Sequence, residues 1–140
     1  MIPIHILLVE DNEGDILLTE EVLEDAKIIK KLSVAKDGKE AMDFLTRQGR
    51  YANAEEPDLI LLDVNLPGRN GHEVLQHIKK DENLKQIPVI MLTTSSFKKD
   101  IKLAYDNCAN CYIIKPIEAN EFSNVGTTIK NFWNQLLNYP

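Results

Sequence analysis

Four runs of apolar residues, 6–9, 59–62, 89–92 and 112–114, stand apart along the chain with no polar residue inside them. Strands that face water on one side alternate apolar with polar. Uninterrupted runs of this length read instead as parallel strands buried on both faces. Between the runs the period becomes helical. Ile16, Leu17, Val22 and Leu23 follow the first run, and Ala41, Phe44 and Leu45 come before the second. Val74, Leu75 and Ile78 precede the third, and Phe97, Ile101, Ala104 and Tyr105 follow it. A short strand near residues 32–35 completes five alternations of strand and helix. That pattern predicts an α/β fold, a doubly wound five-stranded parallel sheet in the order 2-1-3-4-5.

Punctuation agrees with the period. Asn12 is placed to cap the first helix, and Asp37-Gly38-Lys39-Glu40 reads as a capping box for the second. Gly71 opens the third helix, and Pro88 sits at the start of the fourth strand, where its missing N–H is tolerated. Residues 47–57 are polar and aperiodic, the longest loop. The last helix, from about residue 118, carries Phe122, Val125, Ile129, Phe132, Trp133, Leu136 and Leu137. This stripe is longer than one small sheet needs to cover. The reading is therefore core for most of it and a candidate partner surface for Trp133, Leu136, Leu137 and Tyr139.

At 140 residues the chain is expected to be one domain spanning 1–140, with no room for a second. Its formal net charge of -6 argues against a nucleic-acid partner or an anionic membrane surface and for protein partners. No apolar stretch approaches the ~18 residues a membrane span needs. The N-terminus enters strand pattern without a signal-peptide profile, so the expected compartment is cytoplasmic. Cys108-Ala109-Asn110-Cys111 could be a redox pair or half a zinc site. It closes a helix rather than opening one and has no second pair, so both thiols are expected to pack as small hydrophobes.

Polar residues punctuate the strand ends: Glu10 and Asp11 after the first run, Asp63 after the third strand, Thr93 after the fourth and Lys115 after the fifth. In a doubly wound sheet these carboxyl ends border one crevice where the strand order reverses. Like charges ~4 Å apart repel by about 4 kcal/mol at an effective dielectric near 20, so clustered carboxylates call for shifted pKa values or a bound cation. Mg²⁺, a hard ion that takes few protein ligands and keeps several waters, is the simplest neutraliser. Asp63 precedes the turn Val64-Asn65-Leu66-Pro67-Gly68, which leaves its carboxylate at a strand tip. Such a carboxylate can be a phosphoryl-accepting nucleophile, with metal and lysine drawing charge from the phosphoryl oxygens and the Thr93 hydroxyl bonding one of them. Alone, each residue reads as a cap, a strand-end hydroxyl or a solvated charge. Their matching positions favour the common site.

The fragments Leu7-Leu8-Val9-Glu10-Asp11-Asn12, Asp58-Leu59-Ile60-Leu61-Leu62-Asp63-Val64-Asn65-Leu66-Pro67-Gly68, Pro88-Val89-Ile90-Met91-Leu92-Thr93 and Lys115-Pro116 resemble the receiver domain of two-component response regulators over nearly the whole chain. The resemblance implies a flavodoxin-like fold with Asp63 as phosphoacceptor. It implies Mg²⁺ held by Asp11, Asp63 and the backbone carbonyl of Asn65, with Glu10 acting through metal-bound water. Thr93 and Lys115 would contact the phosphoryl group, and Tyr112 would move inward on switching. Asn65 and Ser95 occupy positions that tune acyl-phosphate lifetime, and Lys115-Pro116 matches a cis-proline position. Glu10 in place of Asp, and Thr94 where many relatives have a smaller residue, depart from the commonest pattern. Residues 47–57, Asn110-Cys111-Tyr112 and Asn131-Phe132-Trp133 look like stand-alone receivers that partner phytochrome-type sensor kinases.

The expected function is that of a single-domain response regulator, phosphorylated by a sensor histidine kinase and acting on a downstream protein target through contacts. It hydrolyses its own adduct slowly and is not otherwise an enzyme. Homodimerisation through the face from the fourth to the fifth helix, or through the aromatic C-terminus, is a further expectation. Two rivals share the site. A haloacid-dehalogenase-like phosphohydrolase needs an acid two residues after the nucleophile, where this chain has the amide of Asn65. A pseudo-receiver scaffold would bind partners without phosphorylation, against which the intact acidic, hydroxyl and lysine set argues.

Overall fold

The computed structural model describes residues 2–137. Strands β1 (Ile4–Val9), β2 (Ile29–Ala35), β3 (Leu59–Leu62), β4 (Val89–Thr93) and β5 (Cys111–Ile114) alternate with helices α1 (Glu13–Asp25), α2 (Gly38–Leu45), α3 (Gly71–Lys80), α4 (Lys98–Asp106) and α5 (Ser123–Leu137). All strand pairs are parallel, in the order β2-β1-β3-β4-β5. The chain leaves β1 on one side to make β2 and crosses to the other side to make β3, so the crevice opens at the carboxyl ends of β1 and β3.

Alternate residues of each strand feed two cores. Leu7, Val9, Ile60, Leu62, Val89 and Met91 pack with Phe44, Val74, Leu75, Ile78 and Ala104 under α2, α3 and α4. Ile6, Leu8, Leu59, Leu61, Ile90 and Leu92 pack with Val22, Leu23, Phe122, Val125, Ile129 and Trp133 under α1 and α5. Apolar burial on both faces is why the strand sequences do not alternate. Asn12, Asp37 and Asn70 each cap a helix by accepting a hydrogen bond from the backbone N–H three residues on, at 2.9, 2.7 and 3.1 Å. In the predicted capping box, the Glu40 carboxylate accepts from Lys36 N, one residue before the cap. Its other oxygen accepts from the Tyr51 hydroxyl at 2.6 Å, which ties loop 47–57 to α2. That loop contains a one-turn 3-10 helix, Gly49–Tyr51.

Several expectations are corrected here. The first two strands begin earlier than their apolar runs: β1 takes in the buried polar His5, and β2 is an edge strand that carries exposed Lys30 and Lys31. A one-turn 3-10 helix, Ala119–Glu121, precedes α5, which starts at Ser123 rather than near 118. Trp133 is buried in the core, whereas Leu136 and Leu137 are exposed; the helical stripe turns away from the sheet only in its last turn. Tyr139 lies outside the described residues. Of the face expected to be buried by α4 only Ala104 is, with Phe97 74% and Tyr105 50% exposed. Cys108 is exposed at the left-handed position that ends α4, with φ 69°, while Cys111 is half-buried in β5. Only one of the two thiols therefore packs as a small hydrophobe. Among the described residues there is no cis peptide bond, so Lys115-Pro116 is trans, the isomer that local energetics favour at X-Pro.

Candidate functional site

Sheet register brings the predicted residues together. Val9 pairs with Leu62, so Glu10 and Asp63 are the next residues on neighbouring strand ends. Backbone bonds continue the alignment past the strands: Glu10 N donates to Ala35 O at 2.9 Å, Asp63 N to Val9 O at 3.2 Å and Lys115 N to Thr93 O at 2.7 Å. Glu10, Asp63, Thr93 and Lys115 are all buried, and Asp11 and Asn65 are exposed at the rim.

Lys115 is the hub. Its ammonium donates to Glu10, to Asp63 Oδ2 at 3.1 Å and to Asp15 Oδ2 at 3.0 Å. Glu10 also accepts from the backbone N–H groups of Asp11 and Asn12, both at 3.1 Å, which clamps it across the turn into α1. Asp63 Oδ1 accepts from Asn65 N at 3.0 Å, so the turn after β3 fixes the rotamer of the carboxylate at its tip. Burial, above all, pushes the Glu10 carboxyl up to about 7; the Lys115 hydrogen bond opposes that shift and the Asp63 charge adds to it. Burial also works against the charge on Lys115. The bond to Glu10 and the charges of Asp63 and Glu10 outweigh it, holding the ammonium above the ordinary lysine range. Three acids share one cation, and the best-buried acid carries the penalty.

That excess of negative charge is the observation that bears on a metal. All the donors are hard oxygens, the chemistry Mg²⁺ prefers. Among the described residues no three acidic, imidazole or thiol side chains converge into a ready-made cage. Lys115 engages two of the acids that would take part, and Asp11 faces solvent. An ion that keeps most of its waters and takes one or two carboxylates fits such a donor set without a cage.

On the other side of Asp63, Thr93 Oγ1 accepts from Ser95 N at 3.3 Å. Ser95 is buried, and its hydroxyl donates to Asp100 Oδ2 at 2.5 Å. Tyr112 is half-buried, and its hydroxyl donates to the carbonyl of Ser95 at 2.9 Å. That bond ties the Tyr112 ring to the loop that follows β4. Gly71 shapes the site from behind, with its N–H donating to Val64 O at 2.8 Å and its Cα so close to β3 that a Cβ would stand 2.0 Å from Asp63 O.

Sequence reasoning missed Asp15 and Asp100. Asp15 lies in the first turn of α1, a few residues after the predicted acids Glu10 and Asp11, and that closeness is a usable signal. Asp100 sits in the first turn of α4, where a carboxylate has the ordinary explanation of a favourable dipole position, and that masks its contacts.

A doubly wound sheet with acids, a hydroxyl and a lysine at its switch point defines a receiver-type domain. Residues 6–125 match the family described as response regulator receiver domain, and the chain belongs to that family. It is 42% identical to the response regulator Rcp1 of Synechocystis sp. over 99% of this chain and 94% of that protein. The Mn²⁺-bound structure of Rcp1 superposes with a TM-score of 0.89, covering 99% of each chain. The phosphorylated cyanobacterial phytochrome response regulator RcpA is 44% identical, with a TM-score of 0.90 over 96% of each chain. The bacteriophytochrome response regulator RtBRR is 40% identical, with a TM-score of 0.77 over 92% of this chain and 78% of that one. The chain is thus a phosphoacceptor domain of two-component signalling rather than an enzyme that turns over a substrate. No helix among the described residues is long and apolar enough to cross a membrane.

Proposed function

We propose that Asp63 accepts a phosphoryl group from a phosphohistidine on a sensor histidine kinase, and that the adduct changes which protein the chain binds. The observation that carries this reading is the Asp63 carboxylate at the tip of β3, with the Lys115 ammonium 3.1 Å from its Oδ2 and Thr93 on the neighbouring strand. An Asp63 oxygen attacks phosphorus, the P–N bond of the donor breaks, and its imidazole leaves with the electron pair. Lys115 holds its charge beside the reacting oxygens throughout, and Thr93 exchanges its bond from Ser95 N for one to a phosphoryl oxygen. Asp11, Asp63 and the Asn65 carbonyl would hold Mg²⁺, with Glu10 bonded to its water. When bound, that ion neutralises charge on the phosphoryl group.

Tyr112 reads as the aromatic partner of Thr93, since both bond to Ser95. Asn65 on the rim and Ser95 in the loop after β4 are placed to set how water reaches the adduct, and so its lifetime. Likeness to RcpA and RtBRR, a phytochrome and a bacteriophytochrome response regulator, supports a phytochrome-type kinase as the donor. The downstream target is a protein, and a homodimer through the exposed α4 to α5 face is the alternative reading of that surface. Incubation with Mg²⁺ and acetyl phosphate is expected to give one labile phosphate per chain, mapped to Asp63. No adduct under these conditions or with a cognate kinase supports the scaffold rival instead.

A further inference from the structure

Ser95 uses all three of its polar groups within the switch region. Its N–H serves Thr93, its carbonyl serves Tyr112, and its hydroxyl bonds the carboxylate of Asp100. At 2.5 Å this last contact has the length of a charge-assisted hydrogen bond, stronger than a neutral one. The other Asp100 oxygen lies 3.1 Å from Nε2 of His72, which is buried in α3 and whose Nδ1 has no partner. His72 therefore directs its one bonded nitrogen at Asp100. Helix α4 is loosely held: Ala104 is its one fully buried residue, Ile101 and Leu103 are half-buried, and among the described residues its other polar tie to α3 is a 3.4 Å contact between Gln76 and Asn107.

We propose that Asp100, backed by His72, is a positioning residue for the switch: through Ser95 it fixes the loop after β4 in the form that seats the Tyr112 hydroxyl. The proposal rests on the reading of Thr93 and Tyr112 as the switch pair. Removing Asp100 leaves Ser95 free to leave its place, and the Tyr112 hydroxyl then loses the carbonyl that holds the ring in its half-buried place. A ligand or modification biases a two-state element only through contacts that differ between the states. Ser95 supplies such contacts to both sides, and Asp100 sets how firmly. The Asp100 carboxyl is held below the usual carboxylate range, by the Ser95 hydroxyl first and also by His72, so it is ionised when it makes these bonds.

The test uses unmodified protein carrying fluorotyrosine, with the Tyr112 fluorine signal assigned by its loss in Tyr112→Phe, together with amide hydrogen exchange at Ser95. Asp100→Ala is expected to move the Tyr112 signal toward a solvent-exposed position and to speed exchange at Ser95 by at least about tenfold, the lower end of the loss expected of a hydrogen bond to a charged group. His72→Gln, whose amide nitrogen replaces Nε2, is expected to keep the wild-type signal where His72→Ala does not. Ser95→Ala breaks the same bond from its other end, so the double variant with Asp100→Ala should be no worse than the larger single effect. If Asp100→Ala does not fold, Ser95→Ala and Asp100→Asn carry the same comparison.

An unchanged Tyr112 signal in these folded variants, or fully additive effects in the double variant, overturns the proposal. Both readouts are taken before any phosphorylation. Failure of wild-type Asp63 to accept phosphate therefore counts against the site reading, whereas an unmoved Tyr112 counts against the role of Asp100. In protein that does accept phosphate, adduct lifetime should change in Asp100→Ala and stay unchanged in Lys102→Ala, which alters only an exposed pair with Asp106.

Discussion

Replacing Gly71 by alanine puts one methyl group into the tightest backbone contact behind the phosphoacceptor. Its Cβ would stand 2.0 Å from Asp63 O and 2.8 Å from both Asp63 C and Val64 Cα, against 3.4 Å for the start of ordinary contact. The first turn of α3 and the tip of β3 must therefore separate by about 1.4 Å. Neither can give by rotating a side chain, since all three contacts are backbone. Overpacking of this kind costs about 1–3 kcal/mol, and loss of the Gly71 N–H bond to Val64 O adds about 0.5–1.5 kcal/mol, for a total of about 1.5–4.5 kcal/mol. The same shift displaces the Asp63 carboxylate from its place 3.1 Å from the Lys115 ammonium. Misplacement by about 1 Å is enough to slow a positioned reaction roughly 100-fold. Urea unfolding reads the first effect, and the rate of labelling by acetyl phosphate with Mg²⁺ reads the second. Gly49→Ala is the control: its φ of 58° is strained for alanine, but nothing lies within 4 Å of its Cβ, so about 1 kcal/mol is lost and labelling is unaffected. Gly71→Ala within 0.5 kcal/mol of wild type and labelled at the wild-type rate refutes this packing argument, with 0.5 kcal/mol taken as roughly the size of a neutral surface substitution.

Other outcomes follow from the same geometry. With the Glu10 carboxyl near 7, protons compete with a cation in this pocket, and Mg²⁺ affinity measured by calorimetry should rise up to about tenfold between pH 6 and pH 8; a flat profile contradicts the assignment. Because that pKa is raised from 4.5, the cation-free protein should lose stability as pH rises through about 7, the native state binding more protons than the unfolded chain in that window. Asp15→Asn should slow phosphorylation less than Lys115→Gln does, since it removes one of the three carboxylates around the ammonium and leaves the ammonium in place; the reverse order would make Asp15 the primary group. Trp133→Ala should cost about 3–5 kcal/mol in unfolding measurements, as a core residue does, whereas Leu136→Ala should stay within roughly 0.5 kcal/mol.

How far the sequence alone reaches can be judged at particular residues. The run 59–62 coincides with β3 because a strand buried on both faces has no polar interruption to blur its ends. Edge strand β2 was legible only in its last residues, since Ile29, Lys30 and Lys31 mix burial with exposure. Glu10, Asp63, Thr93 and Lys115 could be grouped from sequence because parallel strands in register must bring their carboxyl ends together. Asp15, His72 and Asp100 could not be grouped that way. Their contacts depend on how α1, α3 and α4 are rotated over the sheet, and a helical period leaves that rotation open when the face is polar. The same limit applies to α4, whose Phe97 and Tyr105 follow the period of a buried stripe yet project into solvent.

The claim on which the account depends most is that Asp63 is the phosphoryl acceptor, and intact-mass analysis after treatment with Mg²⁺ and acetyl phosphate tests it directly. Wild type is predicted to gain one hydroxylamine-labile phosphate, and Asp63→Asn, folded by circular dichroism, none. An equal gain in Asp63→Asn, mapped to another residue, contradicts it.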